Sequence, residues 1–174
     1  MNETSFSETQ NFRQPWVFAL VALVLGGSLV FLWHGVYQQA VLSRPFGNHP
    51  APTNILLGVT CLETIVCVVI GTMMASMKLV VELGRESILI RFIPLKKTEI
   101  SLGAIRGCLA REYSPLQEFG GWGWRRSWDG KVRAFTMAGR RGVELSLKDG
   151  TSVMIGSQRA DELAEAILRR LPPG

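Results

Sequence analysis

The stretch that decides the fold is PWVFALVALVLGGSLVFLWHGVY, residues 15–37, which contains no Asp, Glu, Lys or Arg. A helix of this length spans about 33 Å, which is enough to cross the hydrocarbon core of a bilayer. Trp16 lies at one end and Trp33 and Tyr37 at the other, where amphipathic rings favour the membrane interface. The stretch predicts a transmembrane helix over residues 15–38.

A second apolar run, TNILLGVTCLETIVCVVIGTMMASM, carries a single charge, Glu63, and predicts a second transmembrane helix over residues 53–77. The Pro- and Gly-rich residues 39–52 between the two runs form an external loop in this interpretation. A cleaved signal peptide is the alternative for the first run. Its apolar region is too long for one, and no small-x-small cleavage pattern follows it.

The distribution of basic residues predicts the orientation. Arg13 precedes the first helix, Arg44 alone lies in the loop, and five Lys or Arg follow closely after the second helix. The positive-inside rule therefore places both termini in the cytoplasm, with residues 1–14 as a tail and residues 78–174 as a domain. That domain holds 17 of the 19 basic and 11 of the 14 acidic residues, a formal charge of +6.

After the second helix the apolar period changes from helical to two, which indicates strands. KLVVELGRESILIRFIPL, residues 78–95, predicts two strands around Gly84, and the pairs Asp129-Gly130 and Asp149-Gly150 mark later hairpins. SQRADELAEAILRRL, residues 157–171, predicts an amphipathic helix with Ser157 as its N-cap. The fold class is thus two transmembrane helices, then a mostly antiparallel α+β domain of six to eight strands with a C-terminal helix. This curled sheet or open barrel has a pleckstrin-homology-like (PH-like) layout.

Four stretches carry a resemblance to a known family: ETQNFRQPW, RPFGNHPAP, EFGGWGW and RGVELSLKDGTSVMIGSQRADELAEAI. On these residues the chain resembles an uncharacterised family of bacterial two-span membrane proteins whose cytoplasmic part is similar to bacterial PH-like domains. The resemblance implies an architecture and a location in the bacterial inner (plasma) membrane. It implies no catalytic residue.

The sequence offers no converging catalytic set, so we expect a protein that is not an enzyme and holds no cofactor or metal. His34 and His49 lie at the outer end of a span and in the outer loop, and the three cysteines form no CxxC pair. The glycines around residue 121 do not match a phosphate-binding loop, because Arg126 replaces the third glycine and no helix follows. Nucleic acid is not expected as a partner, because the domain is tethered and no recognition motif appears.

Basic residues near predicted strand ends are the candidate contacts for anionic lipid headgroups or a protein partner. They are Lys96, Lys97, Arg125, Arg126, Lys131, Arg133, Arg140 and Arg141, with Trp128 among them. The predicted function is an interaction or scaffold module at the membrane surface. An ordinary solvated basic surface is the alternative.

The stretch GGWGWRRSWDG, residues 120–130, divides into two halves in this interpretation. Trp122 and Trp124 are predicted to lie in the core, and Trp128 at an exposed tip. A two-residue loop would set Trp124 opposite Phe135, whereas a three-residue loop would set it opposite Ala134. For the later hairpin a three-residue loop is favoured, because it sets Leu145 opposite Val153.

Glu63 is predicted to lie near the membrane midplane, at the depth of Gly27 and Ser28. There it would approach the first helix where glycine leaves room and share a hydrogen bond with Ser28, as a staple between helices or between protomers. A proton or ion relay is the alternative role. On these residues the second candidate function is a small accessory subunit of a larger membrane complex, held through its helices. The expected partner in the membrane is another membrane protein or a second copy in a homo-oligomer.

Overall fold

A computed structural model describes residues 5–12 and 14–171 of the chain. They divide into two compact units: residues 14–75 form a helical unit, and residues 5–12 together with residues 76–171 form a β unit. Arg13, on which the predicted orientation partly depends, lies outside the described residues.

The helical unit contains α1 (Pro15–Ala40) and α2 (Thr53–Ser76). Pro15 opens α1, where a missing backbone N–H costs nothing. Both helices are long and apolar enough to cross a membrane, and their bounds lie within two residues of those predicted. The connecting loop packs back onto α1, because the Phe46 ring lies 5.1 Å from that of Phe31 and leaves no space for a Cβ at Gly35.

The β unit contains two sheets. In the first, β1 (Phe6–Asn11), β2 (Lys78–Leu83), β3 (Ser87–Ile93) and β4 (Lys96–Ser101) follow one another in an antiparallel meander. The second has the order β5-β8-β9-β7-β6, built from β5 (Ile105–Glu112), β6 (Gly123–Arg126), β7 (Val132–Thr136), β8 (Arg141–Leu147) and β9 (Ser152–Gly156). Among the described strands only β7 and β9 pair in parallel. The mostly antiparallel fold is therefore confirmed.

Strand β1 belongs to the segment that the sequence predicted to be a tail, residues 1–14. It pairs with β2 from Phe6 opposite Leu83 to Asn11 opposite Lys78. Its inward side chains are Phe6, Glu8 and Gln10, and two of these three are polar. Apolar periodicity could not predict this strand, because most of the side chains on its buried face are polar.

Two apolar cores hold the β unit together. The larger joins side chains of both sheets to α4 (Ala160–Leu168), whose Leu163 and Ile167 are fully buried as the predicted stripe requires. The smaller lies around Tyr113, Phe119 and Met154, and includes the short helix α3 (Pro115–Phe119), which the sequence analysis did not predict.

The predicted cap of α4 needs a correction. Arg159, not Ser157, occupies the N-cap position and makes no capping bond with its side chain. Ser157 still helps the chain turn into the helix, because its Oγ accepts a hydrogen bond from the Arg159 N–H at 3.0 Å. Ser157 lies two residues before the N-cap, and its hydroxyl also donates to Glu8.

The observed hairpin registers decide between the two-residue and three-residue loops considered in the sequence analysis. Leu145 lies opposite Val153, so the favoured register of the later hairpin is confirmed. Trp124 lies opposite Phe135, which is the register of the two-residue alternative, although five residues separate β6 from β7.

Candidate functional site

The predicted contact residues of the β unit fall into three places. Arg126, Lys131 and Arg133 lie together at the loop end of the β6–β7 hairpin. Lys96 and Lys97 begin β4, and Lys96 lies beside Trp124 of β6. Arg140 and Arg141 lie at the start of β8, and Arg125 and Trp128 join none of the three.

The first place is organised by two arginines on neighbouring strands. Arg126 of β6 is the register partner of Arg133 of β7, so their Cα atoms are about 5 Å apart. Because side chains alternate along a strand, Arg126 shares a face with Trp124, and Arg133 shares it with the buried Phe135. Neither arginine forms an ion pair with any residue of the described ranges.

A cleft of about 230 Å³ separates the tips of the β6–β7 and β8–β9 hairpins. Its lining side chains are Arg126, Lys131, Arg133, Asp149 and Thr151, and Gly130 completes the wall. Three cations thus face one carboxylate. The arrangement suits an anion with several oxygen atoms, such as a phosphate group.

The carboxylate in this cleft is already engaged. Asp149 accepts hydrogen bonds from Thr151 Oγ1 at 2.7 Å and from the Thr151 N–H at 2.9 Å. These bonds, and the charge of Arg133, lower the pKa of Asp149 below its usual value. Asp149 therefore stays ionised and fixes the β8–β9 loop, and it offsets only part of the positive charge.

The opposite wall is fixed in the same way. Asp129 accepts from Ser127 Oγ and from the Lys131 N–H at 3.1 Å, and these bonds lower the pKa of Asp129. Ser127 Oγ in turn accepts from the Val132 N–H at 2.9 Å. The loop that carries Lys131 is thus held by its own polar side chains, which prearranges the cleft.

Trp128 does not face the cleft with the three cations. Its indole Nε1 donates to the Gln117 carbonyl at 2.8 Å, and its ring lies beside Gly120 at the end of α3. The side chain is 81% exposed, so it lies at the surface as predicted. Trp128 therefore packs over the end of α3 rather than lining the cleft.

The second place contains Trp124, for which the prediction of a buried side chain was wrong. Trp124 was expected in the core, but it is 47% exposed. The reason is its position on β6, the edge strand of the second sheet, beside the turn where β4 begins. Lys96 Nζ lies 5.3 Å from the centre of the Trp124 ring, a cation–π distance.

Trp122 also departs from its prediction. It lies before β6 rather than within it, is only partly buried, and donates from Nε1 to the Gly139 carbonyl at 3.2 Å. The neighbouring Arg125 turns back on this segment, where its Nε donates to the Trp122 carbonyl at 3.4 Å. Neither side chain contributes to the cleft.

In the third place, acidic side chains accompany both arginines. Arg141 forms an ion pair with Asp161 at 3.0 Å, and Arg140 lines a groove that also contains Glu112 and Glu118. Since β8 is seven residues long, this pair lies about 20 Å from the loop that carries Asp149. Arg140 and Arg141 therefore belong to a different surface from the cleft.

The helical unit contains the polar contact between Ser28 and Glu63. Ser28 Oγ donates to Glu63 Oε1 at 2.5 Å, and the buried Glu63 Oε2 has no hydrogen-bond partner among the described residues. Gly27 does not provide the space for this approach, because a Cβ there would meet no atom within 4 Å. Gly26 and Gly71 instead line an apolar groove of about 320 Å³ between α1 and α2.

Comparison with known proteins adds no assignment. No family model matches the chain, and no curated protein matches it. Within residues 5–12 and 14–171, no three His, Cys, Asp or Glu side chains group closely enough to hold a metal ion. The geometry of the basic cleft and of the two helices therefore carries the functional argument.

Proposed function

We propose that this protein is a two-span, non-enzymatic membrane protein whose β unit acts as a PH-like interaction module at the membrane surface. In this proposal the cleft of Arg126, Lys131 and Arg133 binds the phosphate of an anionic lipid headgroup, or an acidic segment of a partner protein. The observation that carries it is the Arg126–Arg133 pair, which faces a cleft without an ion-pair partner in the described chain.

The exposure of the two helices supports insertion in a membrane. The core helix of a water-soluble protein buries most of its apolar side chains, whereas Leu23 of α1 is 72% exposed and Leu62 of α2 is 63% exposed. Large continuous apolar surfaces of this kind favour lipid as the surrounding solvent. Residues 15–38 and 53–77 are therefore proposed as membrane spans.

The pairing of β1 with β2 supports a same-side arrangement of the two chain ends. The chain leaves the first sheet at Asn11, just before α1, and returns at Lys78, directly opposite, just after α2. If both helices span the bilayer, they must cross it in opposite directions. Cleavage after α1, as for a signal peptide, would remove β1 from a sheet that contains it.

The basic residues then set the proposed orientation. Their excess on the β side of both helices favours the cytoplasmic face, and the resemblance noted above favours the bacterial inner membrane. Two sheets followed by a C-terminal helix support the PH-like layout.

The energetics of the cleft favour an anion. Like charges directly opposite one another on paired strands are destabilising, and an anion between Arg126 and Arg133 would relieve this repulsion. Each cation near an anionic bilayer is worth about 1 kcal/mol, so these two together are worth about 2 kcal/mol. Loss of both should weaken headgroup binding roughly 30-fold.

The test uses the full-length protein in mild detergent, titrated with short-chain phosphatidylglycerol and followed by tryptophan fluorescence. The double variant Arg126→Gln with Arg133→Gln should bind about 30-fold more weakly than the parent. The matched control, Arg140→Gln with Arg141→Gln, removes the same charge from the far end of β8 and should bind as the parent does. Equal weakening in both variants would refute a specific cleft, and an unchanged affinity in the first would refute the proposal.

A second candidate function rests on Glu63. A further helix that donates a hydrogen bond would suit two features of this unit: the Glu63 oxygen that has no partner among the described residues, and the apolar groove lined by Gly26 and Gly71. The protein would then be an accessory subunit of a larger membrane complex. Crosslinking in native membranes tests it: Glu63→Gln should keep any crosslinked complex and Glu63→Leu should lose it, and equal yields would count against this candidate.

A further inference from the structure

The tip between β3 and β4, residues 93–97, combines exposed apolar and basic side chains. Ile93 is 37% exposed and Leu95 is 53% exposed. Lys96 and Lys97 follow them and are exposed as well. The Leu95 N–H donates to the Phe92 carbonyl at 2.8 Å, so the turn is closed and its side chains are held outward.

The register of the first sheet locates this tip relative to the chain entry. Ile93 is the register partner of Lys78, the first residue of β2, so the two Cα atoms are about 5 Å apart. Only Met77 separates Lys78 from the last residue of α2. The tip therefore lies at the end of the first sheet where the chain enters β2.

The composition of this end of the sheet is that of a membrane interface. Trp124 lies over Lys96, and an indole ring beside an ammonium group is typical of the headgroup region. The exposed Lys78 adds a third cation at the same end. A purely solvated turn would gain nothing from Ile93 and Leu95, whereas lipid would cover both.

We propose that the β3–β4 tip inserts Ile93 and Leu95 into the interface of the bilayer that α1 and α2 span, with Lys78, Lys96 and Lys97 at the level of the phosphates. The inference rests on the proposed insertion of the two helices, and it does not depend on anion binding in the cleft. The tip would act as a second attachment that sets which side of the β unit faces the lipid.

The experiment places one fluorescent probe at a time in the full-length protein, after Cys61, Cys67 and Cys108 have been replaced by alanine. Probes are attached to Leu95→Cys at the tip, to Leu23→Cys in α1 and to Leu168→Cys in α4. Leu168 is the matched control, because it is also 53% exposed. Leu168 lies near the far end of the first sheet, because Arg170, two residues later, donates to the Gly84 carbonyl. Gly84 follows β2 and is about 20 Å along that strand from Lys78.

The proteins are reconstituted in vesicles of phosphatidylcholine and phosphatidylglycerol that contain nitroxide lipids, labelled either near the headgroup or deep in the acyl chain. A tip buried about 5–10 Å in the interface should lose at least about half of its emission to the shallow nitroxide, and the Leu168 probe should keep nearly all of it. Leu23 should respond to the deep nitroxide, which verifies insertion. If Leu23 is quenched while Leu95 and Leu168 behave alike, the tip inference is wrong and the membrane anchor stands. If the Leu23 probe is not quenched, both the tip inference and the proposed membrane insertion of the helices are wrong.

Discussion

Replacement of Glu8 by alanine should destabilise the β unit severely, because this carboxylate joins β1 to the start of α4. Glu8 is 8% exposed and accepts hydrogen bonds from Ser157 Oγ at 2.5 Å, the Gln158 N–H at 2.8 Å and Gln10 Nε2 at 2.9 Å. Hydrogen bonds to a charged group contribute about 1.5–3 kcal/mol each, but they do not add fully when they share one acceptor. We expect a loss of about 3–5 kcal/mol in the free energy of unfolding.

For a unit of about 100 residues, each kcal/mol lowers the melting temperature by about 4–8 °C, so Glu8→Ala should lower it by at least about 12 °C. The measurement is thermal unfolding of the full-length protein in mild detergent, followed by the β-sheet signal in circular dichroism. Thr9→Ala is the control, because it changes the adjacent residue on the exposed face of the same strand. A melting temperature for Glu8→Ala within about 2 °C of that for Thr9→Ala would show that the network does not hold β1 in place.

Two further predictions concern the second sheet. Gly142→Ala should lower the free energy of unfolding by about 1–3 kcal/mol in urea, because the new Cβ would overlap the Ile155 carbonyl oxygen. Gly107→Ala on β5 should be nearly neutral, because a Cβ there meets no atom within 4 Å, and similar losses in both would contradict this reasoning. Arg111 donates to Glu118 at 2.8 Å and lowers the pKa of Glu118. The stability from this pair is therefore complete above the unfolded-state pKa of about 4.3 and is lost as the pH falls through the lower folded-state value. Since Glu118 is about one third exposed, the loss should stay below about 1 kcal/mol, and Glu118→Gln should abolish it; urea midpoints between pH 7 and pH 3 that fall equally in parent and variant would refute the assignment.

The sequence predicted the elements that depend on apolar periodicity. Val81, Leu83, Ile88, Ile90 and Phe92 are all buried as their alternation requires, and so are Leu163 and Ile167 at helical spacing. These predictions succeed because each pattern reports which face of a single element meets the core.

What the sequence could not predict depends on contacts between distant segments. Strand β1 is held through Glu8 and Ser157, 149 positions apart, and no local pattern indicates such a pair. Trp124 was expected inside because large rings are usually buried, but its exposure depends on the strand order that makes β6 an edge. The basic cleft could not be predicted without the hairpin register, because only the register sets Arg126 opposite Arg133.

The pairing of β1 with β2 also links the folding of the sheet to the state of the helices. Residues 12–77 separate Asn11 from Lys78, and closing a flexible loop of that length would cost about 4 kcal/mol in chain entropy. Two antiparallel spans would bring both chain ends to one face of the bilayer beforehand and remove most of this cost. Because three residues join β1 to α1 and one joins α2 to β2, the β unit would have two short attachments at adjacent strands rather than one flexible linker. Two such attachments restrict rotation more than a single flexible linker would.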